Sequence, residues 1–387
     1  MARRITNPFR FGDLALDEAF TDRDAEVKEL KSDIVNGQNV VIFAPRRYGK
    51  SSLMWRVEQE LVAEGDVLIA GVNLMKTPTK EQLAERLAKS IYEDIASTLF
   101  RAKERLRIFR GLVITPTITI NPDDGSPTFG FDAGARTEDI DATLERLLEL
   151  PAQLAADRET RAALVFDEFQ QIVDIDPNLP ALMRSIFQEQ TEVSHVYLGS
   201  KRAMMERIFN DENEPFWRSA KQMELGVIAP DLFTDFIDVQ FKRTKRRIEK
   251  AVVGRILDVT RGHPYGTQEL CYSIWQASEE GAVVGDAEFE TGLDNVLRSE
   301  NLHFSRIWEK ASKGQRVTFL ALAKEPLRPI DDSYRRKHKL PAPSTVQKAL
   351  DKLVDDELVI KERPGDYRIA EPFFAEWIAR NQAFASR

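Results

Sequence analysis

Residues 39–53, Asn39-Val40-Val41-Ile42-Phe43-Ala44-Pro45-Arg46-Arg47-Tyr48-Gly49-Lys50-Ser51-Ser52-Leu53, decide the fold. The run 39–43 is apolar and β-branched at its centre, the composition of a strand covered on both faces. Residues 52–61 return to helical periodicity. Between them stands A-x-x-x-x-G-K-S, a phosphate loop with Ala44 in place of the usual first glycine. Such a loop wraps backbone N–H groups around the β- and γ-phosphates at a helix N-terminus. Gly49 permits a backbone conformation that a side chain would block. Lys50 brings a point charge to the phosphates, and Ser51 offers a hydroxyl to magnesium. Gly-Lys-Ser/Thr alone arises by chance in roughly one chain of this length in five, so the strand–loop–helix setting carries the reading. Ala44 through Ser52 are the expected nucleotide contacts.

The same alternation continues on either side. Residues 20–36 read as a helix with Phe20, Val27, Leu30 and Ile34 on one face, capped by Thr21 or Asp22 and closed by Gly37. A second buried strand is expected at 67–74 and a long helix from about Thr79 to Arg107. Residues 113–131 break the pattern: two short strand-like runs flank Asn121-Pro122-Asp123-Asp124-Gly125, a hairpin inserted in the core. A helix at 138–157, a strand at 162–166, a helix near 179–192 and a strand at 193–200 follow. This order predicts an α/β fold, a doubly wound parallel sheet with helices on both faces. Leu164-Val165-Phe166 ends in Asp167-Glu168, which places two acids at the carboxyl edge of that sheet. There Asp167 can share the magnesium with Ser51, and Glu168 can orient or deprotonate an attacking water. Lys50 and Glu168 are the expected catalytic pair.

After Pro230 only helices are expected, up to about Lys310. The last part reads helix, helix, turn, helix, hairpin: 315–322, 331–338, the turn 340–343, a capping box at Ser344-Thr345-Val346-Gln347 opening a helix to about Asp356, then a wing over Pro364-Gly365. That is a winged helix-turn-helix. Three parts result: a nucleotide-binding core over 1–229, a helical lid over 230–310 and a winged helix over 311–387.

Composition narrows the classes. The net charge is −8, yet residues 311–387 hold 15 Lys and Arg against 11 Asp and Glu, a net of +4, so the rest carries −12. DNA or a protein partner would therefore be met through the winged helix, although Asp351 and its neighbours oppose phosphate there. No run approaches the roughly 18 apolar residues of a membrane span. The basic start lacks the apolar stretch of a secretion signal, and the single Cys271 suits a reducing compartment, so a cytoplasmic location without membrane attachment is expected. Four histidines and one cysteine form no metal-like spacing, and no nucleophile elbow is present.

These residues resemble the archaeal-type ATPase family, a branch of the AAA+ and STAND P-loop NTPases. F-A-P-R-R-Y-G-K-S-S-L, at residues 43–53, is similar to that family's G-P-R-R-x-G-K-T-S-L, including the Arg46-Arg47 pair. Residues 20–26 are similar to its F-x-G-R-x-x-E box, with Asp22 replacing the glycine, and the resemblance puts Arg23 near the adenine. Leu198-Gly199-Ser200 resembles the end of strand four, which makes Ser200 the candidate γ-phosphate sensor; by residue chemistry alone it would cap the next helix. Gly262-His263-Pro264-Tyr265 looks like the lid motif, implying Pro264 against the adenine and His263 close by. Arg218 matches a family arginine that can act as a finger, against the alternative of a surface arginine; Arg202 and Arg207 are further candidates. The resemblance implies ATP and magnesium as ligands and slow hydrolysis driving a switch that moves lid and winged helix, with a nucleotide-dependent homo-oligomer left open. The alternative is a nucleotide-gated adaptor or DNA-binding regulator with negligible turnover.

Overall fold

The computed structural model describes residues 6–65, 67–96, 105–114, 116–121, 127–130 and 136–385. The chain divides into two compact units. One comprises Arg23–Arg46 and Lys50–Leu225; the other comprises Met1–Asp22, Arg47–Gly49 and Gly226–Arg387.

The first unit is built on a five-stranded parallel sheet in the order β2-β5-β6-β1-β7. The strands are β1 (Val40–Phe43), β2 (Val67–Asn73), β5 (Arg161–Asp167), β6 (Val193–Gly199) and β7 (Lys221–Glu224), with β3 (Thr117–Ile120) and β4 (Pro127–Gly130) forming a separate antiparallel pair. Every residue of β1 and β6 is buried, because helices cover both faces of the sheet. The edge strand β7 had no counterpart in the sequence reading. Its Lys221, Gln222 and Glu224 face solvent, as edge strands favour, which erased the apolar signal.

Other departures are local. Arg23, not Thr21 or Asp22, occupies the N-cap of helix Asp24–Val35 and makes no side-chain capping bond. The expected helix from 79 to 107 is α-helical over Lys80–Ser90, widens to a π-turn at Ile91–Ala96, and is replaced by a 3₁₀ segment at Arg105–Gly111. Residues 97–104, and the hairpin turn at 122–126, lie outside the described residues. The helix expected near 179–192 ends at Phe187.

The second unit holds helices Pro230–Arg243, Lys250–Thr260, Pro264–Gln276 and Asp286–Lys310. Two short parallel strands, β8 (Arg247–Ile248) and β9 (Val283–Val284), correct the all-helical expectation for this stretch. Phe9 is fully buried against Phe241, and Arg10 N–H donates to Gln268 Oε1, so residues near the start belong to this unit's core. Helices Lys313–Lys324, Asp332–His338 and Pro343–Asp355 precede the antiparallel pair β10 (Val359–Arg363) and β11 (Asp366–Ile369), and helix Pro372–Ala385 closes the unit. The capping box expected at 344–347 does not form. Pro343 takes the first helical position after Ala342, while Ser312 and Gln315 make a capping box two helices earlier.

Under β5 and β6 lies an aromatic cluster. Phe169 meets Tyr197 at 4.6 Å, Phe216 at 5.3 Å, Phe209 at 5.7 Å and Phe166 at 6.0 Å between ring centroids. Because Phe169 immediately follows Glu168, this packing anchors the acidic end of β5. Phe169→Ala should lower unfolding stability by about 3–5 kcal/mol, measured by denaturant titration.

Candidate nucleotide site

The strand β1 delivers the loop. Ala44 N–H reaches Gly199 O at 3.4 Å, tying the loop's first residue to the end of β6. Ala44 is buried and not in the left-handed region, so the usual glycine is dispensable there. The left-handed positions are Arg47, at φ +66°, and Gly49, at φ +86°. A Cβ on Gly49 would touch nothing within 4 Å, so the dihedral and not space demands glycine. Helix Lys50–Glu64 begins at once, so its N-terminal end follows directly on Gly49. Lys50 is buried, and its ammonium donates to Ala44 O at 2.7 Å and Pro45 O at 3.1 Å.

The acidic half lies in the same unit. The register pairs Asn73 of β2 with Asp167 of β5, and Asn73 Nδ2 donates to Asp167 Oδ2 at 2.9 Å. Glu168 N–H donates to Asp167 Oδ1 at 2.9 Å. Burial raises the Asp167 pKa, and the Glu168 charge adds to that; the Glu168 amide, Lys50 and Asn73 pull it back. Glu168 itself is left-handed at φ +53°. Its Oε2 accepts from Ser200 Oγ at 2.8 Å and from Gln170 Nε2. Helix Arg202–Asn210 has Lys201 at its N-cap, so Ser200 does not cap it. Sequence reasoning missed Asn73 and Gln170. A polar residue closing an apolar strand was the available signal for Asn73; nothing short of the fold pointed to Gln170.

Within the other unit, Tyr48 Oη accepts from Arg368 Nη2 at 2.5 Å and its ring meets His263 edge-on at 4.9 Å. Arg47 lies 3.2 Å from Glu371 Oε1 and 4.4 Å from the Tyr265 ring centroid. Pro264 is the first helical residue after His263, whose Nδ1 accepts from Gly266 N–H at 3.0 Å. Asp22, where the similar box has glycine, sits at φ +29°, a region aspartate tolerates. Arg23 is buried and bonded to Glu26 at 2.7 Å. Arg202 pairs with Glu206 and Glu224, and Arg207 with Glu214. Arg218 is exposed at φ +51°, lies 5.1 Å from the Trp217 ring centroid, and pairs with no carboxylate among the described residues.

Residues 20–270 match the family described as the ATPase domain predominantly from Archaea. The chain belongs to that family. Residues 302–380 match a probable winged helix domain. Among solved structures, the Walker-type ATPase PABY2304 of Pyrococcus abyssi is similar over 94% of this chain and 97% of its own, with a TM-score of 0.66 at 16% identity. The ORC2 protein of Aeropyrum pernix, solved as ADPNP and ADP complexes, is similar over 98% of this chain and 100% of its own, with a TM-score of 0.53 at 14% identity. At such identities the likeness is one of fold. No curated protein matches the sequence. No helix among the described residues is long and apolar enough to cross a membrane.

The turn at Gly262-His263-Pro264 carries a titration. Burial, with Arg368 and Arg47 adding to it, pushes His263 down to about 3 from 6.5. The folded state holds it neutral as an acceptor, while the unfolded chain takes up a proton below about 6.5. Its contribution is therefore complete above that pH and is lost as pH falls toward 3. His263→Asn, which keeps a capping acceptor, should show a shallower loss of thermal stability between pH 6.5 and 4 than the wild type. His263→Ala should cost about 1 kcal/mol at neutral pH.

Proposed function

We propose that the protein binds ATP with magnesium at the Ala44–Ser52 loop and hydrolyses it slowly, as a switch acting on the lid, about 230–310, and the winged helix, about 311–387. The observation that carries this is the carboxyl edge of β5: Asp167 and Glu168 are both fixed by hydrogen bonds there, and the Lys50 charge acts on Asp167.

Ser51 and Asp167 suit magnesium by their oxygen chemistry. The adjacent carboxylates carry more negative charge than Lys50 offsets, and burial already disfavours the ionised Asp167, so a divalent cation would relieve the pair. When bound, the metal supplies charge neutralisation to the phosphates. Lys50 leaves the loop carbonyls for the phosphates, and Ser200, whose hydroxyl proton goes to Glu168 Oε2, serves as the γ-phosphate sensor through that carboxylate. Glu168 accepts a proton from water as the water oxygen bonds to the γ-phosphorus. The bond from γ-phosphorus to the β–γ bridging oxygen breaks, and ADP departs with that oxygen. Arg218, which pairs with no carboxylate among the described residues, is the candidate finger, supplied in cis or by a second copy. A cytoplasmic location accords with this reading.

A second reading, a nucleotide-gated DNA-binding or adaptor regulator, draws on the winged helix. Arg336, Lys339, Lys348, Lys361 and Arg363 pair with no carboxylate among the described residues, whereas Lys352 is bonded to Asp356 and Lys337 to Glu325. Steep salt dependence of binding to duplex DNA, with negligible turnover, would select it.

In purified protein, Lys50→Ala should weaken ATP binding. Glu168→Gln should retain binding while phosphate release falls about 100-fold or more. Wild-type phosphate release by Glu168→Gln would overturn the hydrolytic assignment.

A further inference from the structure

Gln170 lies two residues beyond Glu168 in the 3₁₀ turn Phe169–Gln171, and it is fully buried. A buried glutamine needs partners for both ends of its amide. Its Nε2 donates to Glu168 Oε2 and lies 3.4 Å from Ser200 Oγ, while its Oε1 has no hydrogen-bond partner among the described residues. Leaving a buried acceptor unsatisfied costs about 1–3 kcal/mol. Reversing the amide would aim Oε1 at the carboxylate, a worse arrangement while Glu168 is ionised. The orientation is thus dictated by Glu168, and the orphaned carbonyl is the consequence.

Ser200 and Gln170 converge on one oxygen. Oε2 of Glu168 receives both donors, whereas its Oε1 accepts no hydrogen bond among the described residues. We propose that Gln170 is a positioning residue: with Ser200 it clamps Oε2, so that Glu168 presents Oε1 alone to the attacking water. The left-handed backbone of Glu168 and the aromatic cluster behind Phe169 set the direction of the turn; the two donors set the rotation of the carboxylate. The proposal rests on Glu168 acting as the base.

Gln170→Met keeps the side chain's length and apolar volume and removes both polar ends. It should lower kcat for ATP by about 10- to 100-fold, since a misdirected catalytic group costs on that scale, and leave KM and ADP affinity unchanged. Ser200→Ala combined with Gln170→Met should fall short of the product of the single effects, because both act on one oxygen. In a Glu168→Gln background, Gln170→Met should change the residual rate by less than twofold. Gln170→Asn, whose amide is one methylene too short to reach Oε2, should reproduce the Met variant and serves if that variant folds poorly. Wild-type kcat in a folded Gln170 variant, or a kcat above wild type, would overturn the clamp. A wild-type rate in Glu168→Gln would instead overturn the base assignment, so the two failures are distinct.

Discussion

The chemistry of this chain depends on the parallel pairing of β1, β6 and β5. Phe43 aligns with Gly199, and Phe166 with Tyr197, so three strand ends emerge at one edge of the sheet. Each strand hands over at its carboxyl end to residues of the candidate site: the loop at Ala44 after β1, the Asp167-Glu168 pair at the end of β5, and Ser200 after β6.

That edge is held by more than its own hydrogen bonds. Phe169, Tyr197, Phe209 and Phe216 pack beneath the turn that follows Glu168. Close packing fixes where a buried ring can sit, and the ring fixes the backbone next to it. A left-handed glutamate costs free energy of order 1 kcal/mol or more and persists only where its surroundings over-determine it. The aromatic cluster and the contacts to Asp167, Ser200 and Gln170 supply that determination.

Much of this could be read from residues. Val40-Val41-Ile42-Phe43 had to be a buried strand, and Gly49-Lys50-Ser51 had to open a helix, because composition and spacing act locally. The acids at 167 and 168 followed from the same logic. The winged helix was legible from its order of elements, although its capping box was misplaced: Pro343 already started the helix before Ser344 could cap it. The edge strand β7 was illegible because solvent exposure removes the apolar pattern that marks a strand. The π-turn at Ile91–Ala96 was illegible because apolar spacing continues across it.

Sequence alone determined which chemical groups are present and which strand ends carry them, since those follow from local periodicity and residue type. Tertiary structure decided their partners. Asn73 meets Asp167 only through the β2–β5 register, across a separation of 94 positions, and Ser200 finds Glu168 instead of capping its own helix. Gln170 turns its amide nitrogen to Glu168 and leaves its carbonyl without a hydrogen-bond partner among the described residues. Hydrogen-bond partners are a matter of distance in space, and the distance between residues remote in the chain is set when the sheet assembles, not when the residues are chosen.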